Sequence, residues 1–157
     1  MVKLSSGLSC IVDNEEDLAR FLTHRSQFSA LMPKPSAFLP HPRDRETSVS
    51  RHGNEPREEL WAIGSTVAGV RNLYGAAIVK ARVVRAVKLE VLADEPPPRH
   101  AVITGWPWDE ADPELQKAKQ KEIAVVIASQ SDLLCAEVTE TLWTSESPIP
   151  SPIASPD

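Results

Sequence analysis

The stretch DEPPPRHAVITGWPW, residues 94–108, constrains this chain more than any other. Proline fixes φ and has no amide hydrogen, so three in a row exclude helix and favour an extended polyproline arm. Such an arm sets the direction in which the chain enters the apolar run that follows. HAVITGW then reads as a strand, with His100, Val102 and Thr104 on one side and Ala101 and Ile103 on the other. Arg99 and His100 stand where arm meets strand, and Trp106 and Trp108 flank Pro107 at the exit.

A strand entered and left so abruptly needs partners, and 157 residues can supply them. At 41% apolar and 25% charged the chain is ordinary for one globular domain. A domain of this size buries about two-thirds of its unfolded surface. The net charge of −5 and the pI near 5.4 argue against general nucleic-acid binding. The basic stretch KARVVRAVK, with Lys80, Arg82, Arg85 and Lys88, reads as a solvated face. No apolar run approaches the roughly 18 residues of a membrane span, and the N-terminus is too weakly apolar for a signal peptide. Cys10 and Cys135 are too few and too far apart for a disulfide framework or a zinc knuckle. Together these features predict a cytoplasmic protein with reduced thiols and no membrane partner.

The other elements follow from caps, periods and breakers. Asp13 or Asn14 can cap a helix over about 14–24, where Leu18, Phe21 and Leu22 share a face. The prolines of MPKPSAFLP leave room only for a short extended piece, SAFL. ETSVSR predicts a strand over 46–51, HGN a turn, and EPREELWAI a helix capped by Asn54 and stopped at Gly64. Residues 65–95 divide into a strand at AAIVKA, a helical turn at RVVRAV and a strand at LEVLA. Asp112 as cap and Pro113 at the first position predict a helix over 113–129, with a stripe of Leu115, Ala118, Ile123, Val126 and Ile127. DLLCAEVTETLW continues as strand or helix. From Ser145 the chain is a Pro/Ser-rich tail with no core-forming pattern, expected to be flexible. The expected organisation is a single α+β domain over 1–144 and a tail over 145–157. Its sheet is small and mostly antiparallel, with the long C-terminal helix and two shorter helices on one face.

Chemistry is sparse. No pair of the four histidines has a metal-ligand spacing, and His41, Asp44 and His52 converge only if a loop folds back. There is no GxSxG elbow and no clustered-glycine phosphate loop, so neither a metal nor a cofactor is expected. Arg99 suits a bidentate grip on phosphate or carboxylate, and His100 suits acid–base work at neutral pH. Both also suit a plain structural role at a strand edge. Trp106 and Trp108 are either lids on the core or anchors for a partner.

KPSAFLP, ETSVSR, EELWAIG, GAAIVKARVV and DEPPPRHAVITGWP occur in that order. In this layout the chain resembles a group of small uncharacterised bacterial proteins with an AFxP … SVxR … GxA … DxPPRHAxIxGWP pattern and a final amphipathic helix. The resemblance covers about residues 20–134 and departs at Lys88, where the pattern has a glycine before the leucine. It implies a small cytosolic bacterial domain and no particular reaction. Two functions are expected from the residues. The first is a non-catalytic interaction module, an accessory subunit of a bacterial assembly, with Trp106 and Trp108 toward the partner protein. The second is a small enzyme or ligand binder for a phosphorylated or nucleotide-like substrate, with Arg51, Arg99 and His100 converging.

Overall fold

A computed structural model describes residues 3–136. Among them the chain forms a six-stranded, fully antiparallel sheet with helices, an α+β fold. The strands are β1 (Asp17–Leu22), β2 (Thr47–His52), β3 (Gly75–Lys80), β4 (Glu90–Ala93), β5 (His100–Thr104) and β6 (Asp132–Cys135), in the spatial order β4-β5-β2-β1-β3-β6. The helices are α1 (Arg57–Ala68), α2 (Ala81–Ala86) and α3 (Pro113–Ser129).

Side-chain alternation sends two sets of residues to opposite faces. Leu18, Leu22, Val49, Ala77, Val79, Val91, Ala101 and Ile103 pack with Ile127 and Ala128 of α3 and with Phe38 and Trp106 in the larger core. Ala19, Phe21 and Ala76 face the other way and pack against Leu60 and Trp61 of α1. The helices therefore do not share one face: α1 lies opposite α3.

The helix expected over 14–24 is instead β1, the strand between β2 and β3. A strand buried on both faces is a continuous apolar run, and LARFL fits a helical period as well as an extended one. The cap residue is real but serves a turn. The Asp13 carboxylate accepts from the Glu15 amide at 2.9 Å, and the Glu16 carboxylate from the Asp13 amide at 2.9 Å. α1 begins at Arg57, with Pro56 rather than Asn54 as its cap, and runs through Gly64 to end before Gly69, whose φ is +63°. Gly64 is a packing glycine: a Cβ there would come within 2.7 Å of the Phe21 ring. SAFL is not extended; Pro35–Ala37 is a turn of 3-10 helix. The prolines at 96–98 form no extended arm. They close the β4–β5 hairpin, and the Glu95–Pro96 and Pro96–Pro97 bonds are cis.

α3 spans the residues its cap predicts, and the Asp112 carboxylate accepts from the Leu115 amide at 3.1 Å. Its stripe sits further along than expected. Gln120, Ala124, Ile127 and Ala128 are buried, whereas Leu115 and Ala118 are exposed. The first turns of α3 overhang the sheet, so their apolar residues meet water. DLLC is strand β6; the rest of that segment and the tail lie outside the described residues.

A candidate ligand cleft between α1 and the sheet

β1 pairs with β3 over all six of its residues but with β2 over only three, from Asp17–His52 to Ala19–Ser50. Beyond Ala19 the two strands part. Arg20, which alternates with Leu18 and Leu22 toward the α3 side, reaches into the opening and lines it from below: its Nε donates to Ala37 O at 2.7 Å and its Nη1 to Ser48 O at 3.1 Å. Above this gap α1 covers β1 and β3 but leaves β2 and β5 bare. The result is a cleft of about 210 Å3. Phe21, Ile63 and Val67 form one wall and Pro97, Pro98 and His100 the other, with Arg20, Ser48, Val49 and Ser50 beneath. A neighbouring hollow of about 380 Å3 shares Ile63, Val67, Pro97 and Pro98 with it.

Two of the cleft's polar residues belong to one cross-strand row. Ser50 and His100 are directly opposite on β2 and β5. Asp94, at the end of β4, is next along the row and binds His100 O through its amide at 2.8 Å. His100 Nδ1 lies 3.0 Å from Asp94 O and 3.1 Å from the Asp94 carboxylate. Either contact fixes the ring orientation across the cleft. Ser50 Oγ is the exception: it is buried, with 4% of the residue exposed, and has no hydrogen-bond partner among the described residues. The serine, histidine and aspartate stand in the order of a hydrolase triad, but the serine–histidine bond that activates such a hydroxyl is not made.

The three residues expected to converge separate at the side chain. Arg51 and Arg99 meet through backbone, with the Arg51 amide donating to Arg99 O at 2.8 Å. The Arg51 guanidinium turns to the core side, where it bonds the Glu16 carboxylate at 2.8 and 2.7 Å and Ser9 O at 2.7 Å. Burial alone would raise the Glu16 carboxyl; the Arg51 bonds, the Asp13 amide and the Arg51 charge together hold it below its ordinary value. Arg99 adopts a left-handed φ of +69° and acts as a staple for the hairpin. Its Nε donates to Arg51 O and its Nη2 to the Glu55 carboxylate, both at 2.8 Å, and its amide donates to the Glu95 carboxylate at 2.9 Å. Glu55 is likewise lowered: burial opposes it, but bonds from His52 and the Gly53 amide and the charge of Arg99 outweigh that cost. Glu95 also accepts from the hydroxyls of Ser5 and Ser6, tying the N-terminal segment to the proline turn. Only His100 of the three lines the cleft.

Trp106 is buried in the larger core, whereas Trp108 is half-buried with the Arg45 guanidinium 4.7 Å from its ring centre. Arg20, Ser48, Ser50, Phe21, Ile63 and Val67 were not singled out from sequence. The alternation in TSVSRH carries a signal for the two serines, since Ser48 and Ser50 fall opposite Val49 and Arg51. No family model, curated protein or solved structure matches this chain.

Proposed function

We propose that the protein is a non-catalytic binding module whose receptor is the cleft between α1, the β2–β5 face and the Pro97–Pro98 turn. The observation that carries this is Ser50 Oγ, a hydroxyl buried at the base of an apolar cleft without a partner among the described residues. A buried polar group left unpaired costs about 1–3 kcal/mol, so such groups call for a functional explanation. A ligand oxygen or nitrogen seated on Ser50 removes that cost. An apolar cavity of roughly 150 Å3 accepts a benzene-sized guest, so 210 Å3 leaves room for a ring and one small polar group.

Phosphate or nucleotide recognition gains less support, because Arg51 and Arg99 are already committed to Glu16 and Glu55. The unformed Ser50–His100 bond favours binding over hydrolysis. Within a larger bacterial assembly, the module would present this cleft rather than the tryptophans, since Trp106 belongs to the core and Trp108 holds Arg45. A reducing, cytoplasmic setting suits the exposed, unpaired Cys10 and Cys135.

Benzamide, a neutral ring with one polar group, is a suitable probe. Titration should shift resonances of Phe21, Ser50, Ile63 and His100. Ser48→Trp places an indole in the cleft from an exposed strand position, where aromatic residues are well tolerated. This variant should melt normally and lose the shifts. Shifts scattered over the surface, or undiminished in Ser48→Trp, would refute the assignment.

A further inference from the structure

The two most buried of the paired cations, Arg51 and Arg99, are matched to carboxylates, as are four more exposed ones among the 17 lysines and arginines. Arg45 pairs with Glu110, Arg51 with Glu16, Lys80 with Asp17, Arg82 with Glu15, Arg85 with Glu90 and Arg99 with Glu55. Arg20 breaks the pattern. It is half-buried, it lines the cleft, and its guanidinium donates only to two backbone carbonyls. No carboxylate pairs with it among the described residues. Carbonyl oxygens satisfy donors but leave the positive charge uncompensated, and taking an unpaired charge out of water is costly.

A second cation deepens the imbalance. Arg71, just beyond α1, bonds Ala68 O, Val67 O and the Thr23 hydroxyl, again with no carboxylate among the described residues. Burial makes the Arg20 guanidinium a weaker base than usual, and repulsion from Arg71 adds to that. Neither Asp94 nor Glu59 neutralises Arg20: Asp94 is engaged by the His100 ring, and Glu59 lines only the neighbouring hollow.

We infer that the ligand of this cleft is an anion: a small carboxylate with an apolar body, its oxygens between Arg20 and Ser50 and its body between Phe21, Ile63, Val67 and the Pro97–Pro98 turn. This rests on the binding function proposed above and names its ligand class. The chemistry of the site selects each half. A guanidinium has five donors, of which Arg20 spends two on carbonyls, so donors remain for a carboxylate alongside the free Ser50 hydroxyl. The walls are hydrocarbon, which disfavours a heavily hydrated anion such as phosphate.

The experiment compares benzoate with benzamide, which has the same shape without the charge. Charge-assisted hydrogen bonds are about twice as strong as neutral ones, and benzoate should bind at least about tenfold more tightly. Arg20→Gln should bring the affinity for benzoate down to that for benzamide. Arg82→Gln, which removes one positive charge outside the cleft, should leave the ratio intact. Acetate should bind far more weakly than benzoate, because it forgoes the apolar walls. Equal affinity of the wild type for benzoate and benzamide overturns the inference while leaving the binding cleft standing. So does a fall in the ratio that is the same in Arg82→Gln as in Arg20→Gln. Failure of both probes to shift the cleft overturns the cleft itself and this inference with it. The wild-type comparison decides the matter even if Arg20→Gln does not fold.

Discussion

The two faces of the sheet are finished differently. On the α3 side, aliphatic residues from five strands meet α3, α2 and the turn around Phe38; there Thr47 Oγ1 donates to Phe38 O at 2.7 Å and Arg51 is locked to Glu16, while the buried Trp106 Nε1 has no partner among the described residues. On the α1 side, a single helix of 12 residues packs on β1, β3 and the β6 end of the sheet, and the Ser50 and His100 pair borders open space. One face is closed by packing, and the other has a shaped opening with an unpaired hydroxyl and an unmatched guanidinium.

The largest effect should come from breaking the closed face. Ile127→Asp puts an unpaired charge where no surface is exposed and should abolish the cooperative melt, since such changes exceed about 4 kcal/mol. Val67→Asp, the same side chain on the open face where Val67 is 46% exposed, should fold normally. If both variants fold, the two faces are not distinguished in the way described.

Next in size are the ion pairs that hold the hairpin to the sheet. Arg99→Ala leaves the Glu55 carboxylate, almost wholly buried, with the His52 ring as its remaining side-chain partner. It should cost about 3 kcal/mol, as expected when one partner of a buried pair is removed. Urea unfolding measures this directly. A cost below about 1 kcal/mol would free Arg99 from the structural role and return it to candidate ligand binding. The same pairs set the acid limit of the fold. Glu16 and Glu55 both titrate lower in the folded chain than the ordinary 4.5. Their contribution is therefore complete above that value and is lost as pH falls through the folded values. The melting temperature should drop on acidification below about pH 4.5. In Glu16→Gln that drop should be shallower.

Smaller still is Gly64→Ala. The added methyl meets Phe21 within 2.7 Å, so α1 must shift against β1. Overpacking should outweigh the roughly 1 kcal/mol of helix propensity gained, leaving a net loss of about 1 kcal/mol. A stabilised variant would mean that α1 is loosely seated.

The finest distinction is between two hydroxyls on β2. Thr47→Val removes the bond to Phe38 O and should cost about 1 kcal/mol. Ser50→Ala removes a hydroxyl with no partner and should leave stability unchanged or slightly raised. Equal losses would mean that Ser50 is satisfied in solution and the open face is ordinary packing.

Much of the fold was legible in the sequence, for reasons visible in particular residues. α3 announces itself through Asp112 and Pro113, and β5 through strict alternation ending at a glycine. β1 was not legible, because a strand buried on both faces has no polar alternation to mark it. That one misreading also hid the site. With residues 14–24 taken as helix, Arg20 falls on a solvated helix face, and nothing hints that it spans a gap between two strands. His100, singled out because it begins a strand, does line the cleft. Its partner Ser50 becomes visible only when register places β2 opposite β5. Arg51 and Arg99 drew attention as cations, but their carboxylates lie 35 and 44 residues away in the chain, beyond what local pattern reveals.

The most direct test of the central claim is a map of amide and side-chain NMR shifts during benzoate titration of the wild-type protein. The account predicts shifts confined to Arg20, Phe21, Ser48–Ser50, Ile63, Val67 and Pro98–His100, with the Arg20 guanidinium moving most and α3 unchanged. Shifts centred on α3 or on Trp108, with residues 48–50 silent, would contradict it.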